Sequence, residues 1–329
     1  MKAPQNEEIF KVTDSQSFER MALKVFRFQA ARCPVYGEYV RLLGIDPDRI
    51  ENIFAIPFMP VSFFRDHLIM TGGGEPEKVF LSSGTAGMRQ STHSVKSLAL
   101  YDESLERAFR IFYGNPSQYA IMGLLPSYLE REGSSLIYMV NRLMTLSGND
   151  NGGFFLDDYA GLLHSIEKSR AAGLRVLLIG VTFALLDMAE RCPEDLGDVI
   201  IMETGGMKGR RQEMIREELH EVLKSAFGVP SVHSEYGMTE LLSQAYSAGD
   251  GLFMTPPWMK VLIRDSHDPM SHTDEEGASG GISVIDLANI WSCSFIATSD
   301  LGRMNGENRF EVLGRFDNSD VRGCSLLIT

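Results

Sequence analysis

The stretch "KVFLSSGTAGMRQSTHSVKSLALYDESLERAFRIFYGNPSQYAIMGLL", residues 78–125, carries the pattern that decides the fold. "KVFLSS" and "QYAIMGLL" are short apolar runs of strand type, and "SLALYDESLERAFRIFYG" between them has helical spacing of its apolar residues. The alternation continues downstream. "SSLIYMVNRLMTLSG", "YAGLLHSIEKSRAAG" and "RRQEMIREELHEVLKSAFG" read as helices, and "RVLLIGV" and "DVIIMETGG" read as strands. Such an order predicts an α/β body with a mainly parallel sheet flanked by helices.

Either side of this body the pattern differs. Asp14 or Ser15 caps a helix with Phe18, Met21, Val25 and Phe26 on one face, and a shorter helix runs from Pro34 to Gly44, so the first fifty residues are helical. "IPFMPVSFF" at 56–64 and "TGGGEPE" at 71–77 punctuate the chain with proline and glycine. After residue 245 only turn-separated strands remain: "WMKVLIRD", "GGISVIDL", "SFIATSDLG" and "RFEVLGRFD". The expected division is therefore residues 1–245 as helical N-terminus and α/β body, 246–313 as a small β-rich subdomain, and 314–329 as a hinge-like tail.

Composition narrows the function. With 44% hydrophobic residues, 23% charged residues and no apolar run of membrane-spanning length, the 329-residue chain is expected to be cytoplasmic with no membrane span. A net charge of -13 argues against a nucleic-acid partner, because phosphate-backbone binding needs a Lys/Arg excess. Cys33, Cys192, Cys293 and Cys324 are single and widely spaced, which fits reduced thiols rather than a zinc site or disulfide framework. The first three lie in core-like or helical contexts and read as structural. Seventeen methionines fit core packing, or the lining of an adaptable acyl channel.

Four segments carry candidate chemistry. In "SSGTAGMR", Ser82, Ser83 and Thr85 offer hydroxyls, and Gly84 and Gly87 let the backbone wrap an anion, with Arg89 available as a bidentate cation. The loop lacks the Gly-Lys-Ser/Thr of a Walker motif, and by itself it reads equally as a plain turn. In "HSEYGMTELLSQ", residues 233–244, Tyr236 offers a flat face, Gly237 a close approach, Thr239 a hydroxyl and Glu240 a carboxylate for magnesium. The competing reading is a loop entering an exposed helix, with Glu240 in its first turn. His233 and His93 flank the same site, either orienting a carboxylate or simply hydrogen-bonded. In "TSDLGRM" and "GRFDNSD", Asp300 and Arg315 stand fifteen residues apart and suit a ribose, or a turn and a surface arginine.

In this order the four segments resemble those of the adenylate-forming enzymes: "SSGTAG" is similar to the phosphate loop, "YGMTE" to the Tyr-Gly-x-Thr-Glu motif, "SDLGR" to the ribose segment and "GRFDNSDVRG" to the hinge. The resemblance spans residues 57–324. "IPFMPVSFF", "ETGGMKGR" and a cysteine directly after the hinge look most like the acyl-protein synthetases of bacterial luciferase systems, relatives of phenylacetate-CoA ligases. The resemblance implies the large N-terminal domain of that superfamily, ATP and Mg2+ as cofactors, and a carboxylic acid, a fatty acid foremost, activated as acyl-adenylate.

By the same resemblance, Ser82, Ser83, Gly84, Thr85 and Gly87 would hold the β- and γ-phosphates, and Gly205, Gly206 and Tyr236 the adenine. Thr239 would touch the α-phosphate, Glu240 would bind magnesium, and Asp300 and Arg315 would hold the ribose. The sequence ends at the hinge motif, and the lysine that full-length members carry beyond it is expected to be missing. Lys208, Arg89 and Arg210 are the cations left to replace it.

Cys324 occupies the place of the acyl-accepting cysteine in acyl-protein synthetases. Its own context, after Gly323 and beside Arg322, suits a reactive thiol as well as a buried one in a final strand "CSLLIT". The expected acceptor beyond it is a partner reductase, a carrier protein or CoA. Two alternatives stand beside self-acylation: an AMP-forming CoA ligase of the phenylacetate-CoA ligase type, and a non-catalytic nucleotide-binding relative.

Overall fold

The computed structural model describes residues 3–82, 89–125, 133–205, 214–306 and 308–316. Helices α1 (Asn6–Ile9), α2 (Ser15–Arg32) and α3 (Pro34–Leu42) open the chain. Asp14 caps α2 by accepting the Ser17 N–H at 2.7 Å, and Pro34 supplies a pre-set first-turn φ for α3. Apolar side chains on α2 and α3 insert into the sheet: Phe26 and Tyr36 meet Phe295 at centroid distances of 5.9 and 6.0 Å. Strand β1 (Met59–Pro60) and the short α4 (Phe63–Asp66) follow.

Strands β2 (Lys78–Leu81) and β3 (Thr92–Val95) pair antiparallel as a small sheet of their own, bracketing the Ser/Gly/Thr loop. Next come α5 (Leu98–Tyr113), β4 (Tyr119–Leu124), α6 (Ser135–Ser147), β5 (Gly153–Phe154), α7 (Tyr159–Ala171), β6 (Arg175–Gly180), α8 (Thr182–Arg191), β7 (Ile200–Glu203), α9 (Arg216–Phe227) and β8 (His233–Tyr236). Pairs β5–β4, β4–β6, β6–β7 and β7–β8 are all parallel, as the alternation predicts. Every residue of β4 is buried, which fits a strand covered on both faces. Helix α9 begins later than the expected 210–228, because Ile215 is extended (φ -67, ψ 153).

The remaining strands are β9 (Ala245–Ser247), β10 (Leu252–Met254), β11 (Met259–Arg264), β12 (His272–Thr273), β13 (Ser279–Asp286), β14 (Phe295–Met304) and β15 (Arg309–Arg315). They continue the same sheet, in the order β12-β11-β13-β14-β15-β10-β9-β8-β7-β6-β4-β5, with β1 added on β14. Strand β8 is the change-over: parallel to β7 on one side, antiparallel to β9 on the other. Ligands of open α/β sheets gather beyond the carboxyl ends of the parallel strands. The segment that leaves β8 here is Gly237-Met238-Thr239-Glu240. Among the described residues no helix is long and apolar enough to cross a membrane.

Candidate active site

Strand β8 alternates its side chains, so Tyr236 and Ser234 lie on one face and His233 and Glu235 on the other. On the first face Tyr236 is buried, its ring edge-on to Phe253 and Phe310 at 5.9 and 5.4 Å. Its hydroxyl donates to Asp300 Oδ2 at 2.9 Å. Asp300 Oδ1 accepts from Arg315 Nε at 3.1 Å. The fifteen-residue interval between these two is a cross-strand register, since Asp300 and Arg315 face each other on β14 and β15. The Asp300 carboxylate is thereby aimed from two sides, with the Arg315 end open to solvent.

The segment after Tyr236 is no exposed helix. Residues 237–244 form no helix, and Glu240 is buried. The physical reason is Asp286, whose fully buried carboxylate accepts the N–H groups of Leu242 (2.8 Å) and Ser243 (3.0 Å), taking donors that helix carbonyls would otherwise use. Two further buried side chains hold the backbone. His93 Nδ1 donates to the Thr239 carbonyl at 2.8 Å, and Asn289 Nδ2 donates to the Glu240 carbonyl at 2.7 Å. Burial pulls the His93 pKa down to about 4, while its two acceptor neighbours, the Thr239 carbonyl and Asn289 Oδ1, pull it up. Asn289 is held in turn by α2, where Gln29 donates to the Asn289 and Ile290 carbonyls at 3.1 and 2.9 Å.

Glu240 is therefore presented on a rigid segment. Burial raises its pKa, while the Ser91 hydroxyl and Arg315 offset part of this and Asp300 adds to it. A buried carboxylate beside a second carboxylate is a place that favours a cation, and its hard oxygen donors suit Mg2+. Among the described residues no group of three His, Cys, Asp or Glu could hold a metal alone, so phosphate oxygens would have to complete such a site. Ser91 also ties the Ser/Gly/Thr loop to this point: Ser91 N–H donates to Ser82 Oγ at 2.8 Å and Ser82 N–H to the Ser91 carbonyl at 3.0 Å.

Gly205 follows β7 with φ +71, a left-handed turn that a side chain would strain. Its N–H donates to Glu203 Oε2 at 2.7 Å. Glu203 is itself buried: burial opposes its ionisation, but His220, Arg216, the Ser234 hydroxyl and the Gly205 N–H together hold its pKa below the ordinary value. This buried carboxylate shapes the Gly205 turn, a role its "METGG" setting did not announce.

Other expected residues lie apart. Arg89 is exposed and pairs with Asp66 at 3.5 Å, and His233 points away from the Tyr236 face, its Nδ1 3.1 Å from the Tyr113 hydroxyl. Ser83, Gly84, Thr85, Gly87, Gly206, Lys208, Arg210 and Cys324 lie outside the described residues. Cys33 and Cys293 are buried free thiols, as expected of structural cysteines.

An acyl-protein synthetase model, described as LuxE, matches residues 8–329. The chain belongs to that family. No curated protein matches it. Among solved structures, 2-hydroxyisobutyryl-CoA ligase in the postadenylation state shares its fold at a TM-score of 0.68 and 13% identity, over 92% of this chain and 68% of that one. A long-chain-fatty-acid-CoA ligase from Archaeoglobus fulgidus aligns at 0.51 and 16%, over 72% of this chain and 51% of its own. O-succinylbenzoate coenzyme A synthetase from Bacillus subtilis, in complex with ATP and magnesium ion, aligns at 0.50 and 18%, over 72% and 49%. The family member thus spans about two thirds of the first structure and about half of the other two.

One residue of this family member was missed altogether. Glu235 is half-buried, yet its carboxyl end is embedded deeply enough that burial, with Glu203 nearby, pushes its pKa up to about 8. Between pH 4.5 and 8 the folded protein therefore binds one proton more than the unfolded chain, and this group's contribution to stability falls as pH rises through that window. Glu235→Gln is expected to match the wild type in urea unfolding near pH 4.5 and to exceed it at pH 8 by about 1–3 kcal/mol. Equal wild-type and variant midpoints at both pH values would show that Glu235 ionises normally.

Proposed function

We propose that the chain activates a carboxylic acid with ATP as an acyl-adenylate and then passes the acyl group to a thiol. The observation that carries this reading is the Tyr236–Asp300–Arg315 arrangement beside the pinned Thr239-Glu240 segment, in a chain of the acyl-protein synthetase family. An oxygen of the substrate carboxylate attacks the α-phosphorus, the bond to the bridging oxygen of pyrophosphate breaks, and pyrophosphate leaves. Asp300 and Arg315 hold the ribose, and Tyr236 both flanks the adenine and keeps Asp300 aligned. Gly205 and Gly206 give the adenine its backbone edge.

Ser82, Ser83, Gly84, Thr85 and Gly87 hold the β- and γ-phosphates, and Thr239 meets the α-phosphate. Mg2+ held by Glu240 and the phosphates would supply charge neutralisation at the transferring group. Lys208 is the candidate cation near the reacting oxygens. A thiolate, with Cys324 of the hinge-like tail as first candidate, then attacks the acyl carbonyl and releases AMP. A reductase, a carrier protein or CoA takes the acyl group onward.

Carboxylate-dependent exchange of labelled pyrophosphate into ATP tests the first half-reaction, and no exchange with any aliphatic or aryl acid would sink it. For the second, intact mass after incubation with ATP and acid should show an acyl adduct in the wild type and none in Cys324→Ser. An adduct that persists in the variant moves the acceptor elsewhere. Acyl-CoA formed equally fast by both proteins would make CoA the acceptor.

A further inference from the structure

On the Glu235 face of β8, three polar side chains have no side-chain hydrogen-bond partner among the described residues. Tyr246 stands directly across from Glu235 in the β8–β9 pair. It is buried, and its hydroxyl has no hydrogen-bond partner; neither does the buried Gln244 Oε1. Among the described residues no hydrogen bond reaches the Glu235 carboxyl either. Buried polar groups in folded proteins are nearly always paired, so two unpaired ones in the cross-strand neighbourhood of the half-buried Glu235 need an explanation.

Glu235 and Gln244 are neighbours at Gly237, and Tyr246 is the cross-strand neighbour of Glu235. A Cβ placed on the exposed Gly237 would lie 2.4 Å from Glu235 Oε1 and 3.5 Å from Gln244 Cγ. Gly237 thus stays small because the Glu235 carboxyl occupies the place of a Cβ, with the Gln244 side chain beside it, at the start of the segment leading to Thr239. The Tyr236 face of the strand, with Asp300, is the nucleotide side, and in-line attack on the α-phosphate directs the body of the acid away from the nucleotide. The Glu235 face is the side it then meets.

We propose that Glu235, Gln244 and Tyr246 form a recognition point for a hydrogen-bond-donating substituent, a hydroxyl or an amino group, on the acyl substrate. The inference rests on the adenylating reading above and names the substrate class of that site. A carboxyl, an amide oxygen and a phenol can all accept, so the missing partner is a donor, which a plain alkyl chain lacks. A carboxyl that stays neutral until a partner arrives suits both arms: it bonds a hydroxyl as it stands and ionises beside an ammonium.

The test compares unsubstituted, hydroxy-substituted and amino-substituted acids of matched chain length in ATP–pyrophosphate exchange, together with calorimetric binding of the same acids, which needs no turnover. The wild type is expected to favour a hydroxy or amino acid over its plain counterpart by at least about 10-fold in kcat/KM. The ratio should fall to about 1 in Tyr246→Phe, which removes only a hydroxyl without a partner. Glu235→Gln should erase a preference for the amino acid and retain part of one for the hydroxy acid. Plain acids that bind and react as well as substituted ones, or a ratio unmoved in both variants, would overturn the inference. Absence of exchange with every acid, with the binding preference intact and lost in Tyr246→Phe, would instead remove the adenylating reading and leave the recognition point standing.

Discussion

Asp300→Ala will weaken ATP binding about 100-fold in a calorimetric titration. The carboxylate accepts from both the Tyr236 hydroxyl and Arg315, at 2.9 and 3.1 Å, and hydrogen bonds to a charged group each contribute about 1.5–3 kcal/mol. If Asp300 holds the ribose as proposed, losing two such contacts corresponds to a hundredfold or more. Stability should fall by only about 1–3 kcal/mol, since the Arg315 pair is open to solvent and contributes little while the buried Tyr236 hydroxyl loses its acceptor. Asp300→Asn, which can still accept from Tyr236, should fall between the two. An unchanged Kd in the alanine variant would take Asp300 out of the nucleotide site.

The second large effect is expected at Glu240. Glu240→Gln keeps the shape of the side chain and removes its charge, and pyrophosphate exchange should drop about 1000-fold, in line with the several kcal/mol a neutralising metal supplies at a transferring phosphoryl group. Because burial already opposes ionisation of Glu240, the glutamine variant should be as stable as the wild type or more so. Loss of activity with retained stability separates a metal-binding carboxylate from a structural one. A variant that exchanges pyrophosphate at the wild-type rate over a Mg2+ titration would show that the carboxylate is dispensable.

Much of this was readable in the chain. The alternation placed the parallel strands β4, β6 and β7, though "KVFLSS" became β2 of the separate antiparallel pair, and the Asp300 to Arg315 interval marked two residues that the β14–β15 hairpin sets face to face. Local signals sufficed there, since period, turn and capping residues act over a few positions. Helix α8 escaped because seven of its residues are buried, Thr182 to Leu186 with Met188 and Ala189, and a helix apolar all round carries no stripe to read. The exposed-helix alternative for 237–244 failed for a different reason: what decides that segment is Asp286, more than forty residues downstream, and nothing within the segment reveals it. Asn289 and Glu235 were illegible in the same way, whereas His93 is hydrogen-bonded as one of its readings expected, without its partner being visible in the sequence. Their signal, a polar residue inside an apolar run such as "SVIDLANIW", shows that a partner exists without showing which one.

The anchoring of Thr239 and Glu240 has a consequence for the order in which the molecule is built. The bond from His93 closes a loop of 146 residues, and the Gln29 bond that steadies Asn289 closes one of 260. Contacts of such separation form only after most of the chain has collapsed. The geometry at Glu240 is thus a late product of folding that depends on the first helices as much as on the strand that carries it, and a chain shortened from its N-terminus through α2 would keep the motif but not the shape that lets it work.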